Sequence, residues 1–140
     1  MLARLKRLRD YSKVLKDDND FDFSSILALL DYKLSRMEKH FRSDQSLVLD
    51  KERVAKQIKY ARFLIARYFD DCWQTEEYKE LEANRKPYDK EDIAWILKIG
   101  EDEEFTTKFL EFNEKVYKRQ QDALMRLFRH LNLYIQKWWD

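Results

Sequence analysis

The chain has 140 residues and a mass of 17.4 kDa, a length that suits one domain. It contains one glycine and one proline, which excludes a glycine-rich phosphate loop, a Rossmann fingerprint and a many-turned β sandwich or barrel. Charged residues make up 39% of the chain and apolar residues 44%, a balance typical of long amphipathic helices. We therefore expect an all-α protein, and the net charge of +1 argues against bulk binding of polyanions.

The first predicted helix covers residues 2–16 and is strongly basic. It combines a narrow leucine stripe with six Lys or Arg residues. The acidic run at residues 17–20 is expected to end it, because negative side chains are unfavourable at a helix C-terminus. We interpret residues 1–16 as a basic amphipathic appendage to a single domain over residues 1–140.

Two heptad patterns follow and predict an antiparallel αα-hairpin. Apolar residues recur at spacings of 4, 3, 4, 3 and 4 in each of two segments, which are joined by about seven residues. The first segment begins near Asp22, and the second begins after Asp50 and is expected to continue to Glu82. The two seams are Phe23, Leu27, Leu30, Leu34, Met37 and Phe41, then Val54, Ile58, Ala61, Ile65, Tyr68 and Cys72.

The rest of the chain predicts a short helix and a long one, which complete an antiparallel helical bundle. The short helix begins at Asp89 and ends at Gly100, and the long C-terminal helix covers residues 102–138. The long helix has two apolar stripes, which indicates either that it lies centrally in the bundle or that one stripe meets another chain. The predicted oligomer interface consists of Tyr117, Leu124, Phe128, Ile135, Trp138 and Trp139.

A mixed aromatic and basic face is predicted on the second hairpin helix. Lys56, Tyr60, Phe63 and Arg67 recur at spacings of 4, 3 and 4, away from the core seam. Aromatic rings with flanking cations can stack a base and pair with its phosphate, although the same pattern also serves as a second packing surface. Arg126 and Arg129 beside Phe128 raise the same alternatives on the last helix.

The segment Glu76-Glu77-Tyr78-Lys79-Glu80 places carboxylates on one face of a helix, where they could hold Mg²⁺ against a pyrophosphate. This E-E-x-x-E pattern resembles half of the signature of the all-α nucleoside triphosphate pyrophosphohydrolases. The family has E-x-x-D on a partner helix, whereas this sequence offers Glu101 to Glu104 as E-x-x-E directly after Gly100. The resemblance implies a magnesium site at Glu76, Glu77, Glu80, Glu101 and Glu104, which we keep as the alternative.

Other chemistry has few candidates. The two histidines, His40 and His130, and the single cysteine, Cys72, cannot supply a zinc site of ordinary composition. We therefore expect no catalytic residues and no cofactor, with Mg²⁺ only under the alternative. A lone cysteine fits a reducing cytoplasm, and no apolar run approaches the roughly 18 residues of a membrane span.

The segment from Phe23 to Met37 (FSSILALLDYKLSRM) and the terminal Trp138-Trp139-Asp140 resemble small helical proteins of unknown function from tailed phages. The resemblance implies a non-enzymatic, phage-encoded protein of the host cytoplasm. Such a protein would bind a host factor or sequester a nucleotide-like signal as a form of counter-defence. We expect a homo-oligomer and favour these partners over nucleic acid, with a purely structural scaffold as a further alternative.

Overall fold

The computed structural model describes residues 6, 9–13, 23–44, 46, 48–70, 72–84 and 103–138, and in these ranges all regular structure is helical. The elements are α1 (Ser24–Phe41), α2 (Lys51–Tyr68), α3 (Glu76–Ala83) and α4 (Glu103–Tyr134), with 3₁₀ turns at Cys72–Gln74 and Ile135–Trp138. The predicted all-α class is confirmed, whereas the short helix predicted at 89–100 lies outside the described residues. The chain divides into two compact units, Met1–Tyr68 with Ala123–Asp140, and Phe69–Asp122.

The first unit is built on the α1–α2 hairpin, which confirms the heptad prediction. Each helix has 18 residues and places its seam in a shared core. Phe23, the residue before α1, is half-exposed, and its ring lies 5.5 Å from that of Tyr68. The predicted cap, Asp22, lies outside the described residues. The hairpin core consists of Leu27, Leu34, Phe41, Val54, Ala55, Ile58, Ala61, Leu64 and Ile65.

The C-terminal part of α4 completes this core, and this corrects two of the residues predicted for an oligomer interface. Leu124 and Trp138 are buried within the chain, and the side chain of Trp138 is 0% exposed. The Trp138 indole N–H donates to Oε1 of Gln57 on α2 at 3.0 Å. A stripe at helical spacing does not distinguish burial within a chain from burial between chains, and here Leu124 and Trp138 pack inside.

One arginine ties α1 to α2 on the side of the hairpin that bears carboxylates. Arg62 donates to Asp31 and to Glu38, each at 2.9 Å. Burial by itself would raise the pKa of the Glu38 carboxyl, but hydrogen bonds from Arg62 and Arg42 outweigh it and hold that pKa below its ordinary value. The ion pair between Glu38 and Arg62 is therefore weakened in acid, where the carboxylate becomes protonated.

The described part of the N-terminal segment, Lys6 and residues 9–13, is helical and contacts α1. The Tyr11 ring meets the Tyr32 ring edge-on at 5.0 Å, and Asp10 lies 3.9 Å from the Arg36 guanidinium. These contacts show that this part of the basic segment packs on the first unit.

The second unit corrects the predicted extent of the second hairpin helix. The structure ends α2 at Tyr68 and begins α3 at Glu76, where the Thr75 side chain caps the new helix by accepting from the Tyr78 amide. The Asp70-Asp71 pair explains the break, because short acidic side chains are unfavourable at a helix C-terminus. Cys72 consequently leaves the hairpin seam and joins a separate core with Leu81, Phe105 and Phe112.

Candidate ligand-binding face

The aromatic and basic face predicted from sequence lies where α2 and the C-terminal part of α4 are adjacent in the first unit. The Tyr60 and His130 ring centroids are 5.0 Å apart, and Nε2 of His130 lies 2.9 Å from the Gln57 carbonyl oxygen. Because a carbonyl oxygen only accepts, Nε2 is the protonated nitrogen. Gln57 thus makes two contacts, through its carbonyl oxygen with His130 of α4 and through its side chain with Trp138 of the 3₁₀ turn that follows α4. The two helices run antiparallel, since Tyr60 meets His130 and the earlier Gln57 also reaches the later Trp138.

Two aromatic rings on this face are open to solvent. Tyr60 is 42% exposed and Phe63 is 54% exposed, although both are large apolar residues. Their ring centroids are 6.2 Å apart and their planes are 25° from parallel, so the pair is stacked. The i, i+3 spacing produces this arrangement, because residues three apart are neighbours on a helix surface. The exposed ring surfaces are available to a planar ligand.

Exposed cations flank the two rings. Lys56 and Arg67 stand one turn before and one turn after the aromatic pair on α2, and Arg126 and Arg129 are exposed on α4. His130, which touches Tyr60, lies one turn after Arg126 on α4, so this contact brings the two predicted groups of residues onto adjacent helices. We call the set of Lys56, Tyr60, Phe63, Arg67, Arg126 and Arg129 the α2/α4 face.

Several of these cations have no acidic partner. Lys56, Arg67 and Arg129 form no ion pair with any residue in the described ranges. The local sequence supplies few partners, since Glu52 is the one acidic residue of α2 and residues 123–138 contain neither Asp nor Glu. The α2/α4 face therefore has positive charge that the described protein does not neutralise.

Two further residues of this surface were not predicted as site residues. Lys59 is exposed and unpaired among the described residues, and His130 joins the helices. The i, i+3 spacing of Lys59 from Lys56 could have indicated that Lys59 belongs to the same face. The contact of His130 with Tyr60 depends on the pairing of two helices that are far apart in sequence, so no local signal predicts it.

Of the remaining members of the predicted oligomer interface, the three that the structure describes are exposed. In the first unit Phe128 and Ile135 are open to solvent, and Phe128, two residues before His130, lies on roughly the opposite side of α4. In the second unit Tyr117 is exposed. Trp139 lies outside the described residues. These positions leave the oligomer a prediction.

The second unit contains an acidic cleft between α3 and the first part of α4. Its volume is about 790 Å³, its apolar lining is Leu81, Phe105 and Phe112, and its carboxylates come from Glu77, Glu80, Glu103, Glu104 and Glu111. Lys115 lies 2.7 Å from Glu77, and Lys108 lies 2.6 Å from Glu104. The hydrogen bond and charge of Glu77 raise the pKa of Lys115 above its ordinary value, so this ammonium stays protonated beside the carboxylate.

These residues do not fit the predicted magnesium site. Outside the cleft lining, Glu76 pairs with Lys79 at 2.6 Å, so lysines occupy three of the predicted ligands. Among the residues that the structure describes, no three His, Cys, Asp or Glu side chains lie close enough together to hold a metal ion. Glu101 lies outside the described residues. We derive no metal chemistry from the cleft.

Comparison with protein-family models, with curated proteins and with solved structures finds no match to this chain. The likeness to tailed-phage proteins and to pyrophosphohydrolases therefore stays a prediction. In the described part of the chain, none of the helices combines the length and apolar character that crossing a bilayer requires.

Proposed function

We propose that this chain is a non-enzymatic helical binding protein that holds a nucleotide-like anion at the α2/α4 face. One observation supports the proposal above the others: Tyr60 and Phe63 are stacked on each other and exposed, and Lys56, Arg67 and Arg129 form no ion pair with any described residue. In the phage setting that the sequence suggests, such binding would sequester a nucleotide signal of the host as counter-defence.

The exposed aromatic rings and the cations Lys56, Arg67 and Arg129 each lack a contact, among the described residues, that a nucleotide would supply. Exposed aromatic rings can gain dispersion and stacking contacts when a flat base covers them. Lys and Arg side chains without a carboxylate partner can pair with a phosphate and do not first have to break an internal ion pair. An aromatic anion satisfies both needs at once, which favours a nucleotide over an apolar or cationic ligand.

The test is isothermal titration of the full chain with a panel of nucleoside mono-, di- and triphosphates. We expect at least one nucleotide to bind, and Tyr60→Ala to weaken its affinity about tenfold, since one lost stacking contact has this size. Ile26→Ala is the matched control, because Ile26 is 64% exposed on α1 and belongs to none of the predicted sites. Equal weakening by both variants, or no binding of any nucleotide, would contradict the proposal.

The enzymatic alternative predicts a different result in the same samples. Mg²⁺-dependent release of pyrophosphate from nucleotides, abolished by Glu77→Gln and unaffected by Tyr60→Ala, would replace our proposal with the pyrophosphohydrolase. A host protein as ligand is indicated if no nucleotide binds and a host protein loses binding with Tyr60→Ala.

We also propose that the protein works as an oligomer through the exposed residues Phe128 and Ile135. Native mass spectrometry gives the number of subunits, and we expect the double variant Phe128→Glu with Ile135→Glu to reduce it. A wild-type monomer would refute the oligomer without affecting the ligand proposal. An oligomer without any ligand, lost in the same double variant, would indicate the structural scaffold.

A further inference from the structure

We infer that the ligand of the α2/α4 face is a single-stranded nucleic acid, and this inference rests on the function proposed above. It extends that function from one nucleotide to a chain of them. Three properties of the face lead to it: the length of its line of cations, the exposure of its aromatic pair, and the absence of Asp and Glu from residues 56–67 and 123–138.

The cations are spread along the helix instead of meeting at one point. Lys56 and Arg67 are separated by eleven positions of α2, which is about 16 Å of helix. Lys59 lies between them and Arg129 stands on the adjacent α4, and none of the four pairs with a described acidic residue. A single phosphate could not touch all of these side chains, whereas successive phosphates of one strand could.

The aromatic pair indicates that the bases are unpaired. Tyr60 and Phe63 stand on the outer surface of α2 and present ring surfaces to solvent. Only a base whose own flat surface is free can stack on them, and in a duplex that surface is covered by the neighbouring base pairs. Stacking of this kind tolerates any base sequence, because every base has an aromatic face.

The charge pattern separates this surface from the rest of a nearly neutral protein. The net charge of the whole chain is +1, so general attraction for polyanions is weak. Residues 123–138 nevertheless contain no acidic residue, and α2 contains six Lys or Arg residues against one Glu. Binding of a strand should therefore depend on these particular cations.

The experiment measures fluorescence anisotropy of a labelled oligo-dT of about 12 nucleotides, titrated with the full chain at several salt concentrations. We expect saturable binding, with a slope of log K against log salt of about −3 if four cations contact phosphates, because each contact to a single strand contributes about −0.7. Phe63→Ala should weaken binding about tenfold, and Lys56→Glu should weaken it and make the slope shallower.

Matched variants on α1 serve as controls. Ile26→Ala removes an exposed apolar side chain, and Lys33→Glu reverses an exposed cation that pairs with no described residue. Both should leave the affinity for the strand within about twofold of the wild type. Circular dichroism confirms that each variant keeps its helical content.

Other outcomes separate this inference from the proposed function. If single nucleotides bind at the face and oligo-dT binds no more tightly, the strand inference fails and the proposed function stands. If oligo-dT binds but the α1 control variants weaken its binding as much as Phe63→Ala does, the strand inference and the proposed function both assign binding to the wrong surface. Equal affinity for a hairpin duplex, or stronger binding to anionic lipid vesicles through the same residues, would also overturn the inference.

Discussion

The α2/α4 face and the acidic cleft differ in how their charges are satisfied. In the cleft, Glu77 and Glu104 already pair with lysines of the same unit. On the α2/α4 face, Lys56, Arg67 and Arg129 have no such partner among the described residues, and two aromatic rings beside them are open. A surface whose charges neutralise one another must break those pairs before it can bind an ion. Unpaired charge therefore points to a binding site better than a cluster of like residues does.

The largest expected effect comes from removing the support of the face. Trp138→Ala deletes a fully buried side chain and its hydrogen bond to Gln57, which together position α4 against α2. We expect the free energy of unfolding to fall by about 3–5 kcal/mol in urea titrations followed by circular dichroism. Lys137→Ala, in the same 3₁₀ turn but exposed, should change it by less than about 0.5 kcal/mol. Similar losses in the two variants would refute the core position of Trp138.

The next effect is on binding and tests the unpaired charge directly. Lys56→Glu places a carboxylate beside Tyr60 and Phe63, where repulsion of phosphate should lower the affinity for the nucleotide ligand about tenfold. The same reversal at Lys33 on α1 should change the affinity by less than about twofold. Isothermal titration measures both, and an effect of Lys33→Glu equal to that of Lys56→Glu would mean that net charge, and not the face, determines binding.

A smaller effect concerns the ion pairs of Arg62, which are half-buried in the hairpin. The pKa of Glu38 is held below its ordinary value in the folded protein, so its contribution to stability is complete above about pH 4.5. It is lost as the pH falls through the lower folded pKa, where the carboxylate becomes protonated. Glu38→Gln should cost about 1 kcal/mol at neutral pH, and the difference from the wild type should shrink in acid. A difference that is constant with pH in urea titrations would contradict this.

The smallest effect is expected in the cleft. The pair between Lys115 and Glu77 joins two exposed side chains, so solvent screens most of its attraction. Lys115→Ala should therefore leave Tm unchanged in thermal denaturation, and it should leave nucleotide affinity unchanged because we propose that the nucleotide binds at the α2/α4 face. A clear loss of nucleotide affinity in this variant would contradict the α2/α4 face and would indicate that the ligand binds in the second unit.

Local sequence pattern predicted most of the hairpin, because the 4-3-4 spacing of residues such as Leu27 and Ile58 depends only on helix geometry. It predicted the wrong end for α2, because Cys72 continues the 4-3-4 spacing although the helix ends at Tyr68. The Asp70-Asp71 pair and the Thr75 cap, which mark the end of α2 and the start of α3, do not affect that spacing. The local pattern also could not assign Trp138, since the same stripe is equally suited to a core and to a subunit contact.

The candidate face was predicted in two separate pieces. The spacing of Tyr60 and Phe63 placed them together on α2, and Arg126 and Arg129 were recognised on the last helix. The contact that joins the pieces, Tyr60 with His130, depends on how distant segments pack, and so does the lack of ion-pair partners for Lys56 and Arg67. Neither property can be read from neighbouring residues.

Nuclear magnetic resonance of the ¹⁵N-labelled chain, titrated in turn with a nucleotide and with short oligo-dT, compares the two regions in one experiment. We predict chemical-shift changes centred on the amides of Lys56, Tyr60, Phe63 and His130, with none at Glu77, Glu80 or Glu104. Shifts centred on the cleft residues, or no shifts with either ligand, would contradict the assignment of binding to the α2/α4 face.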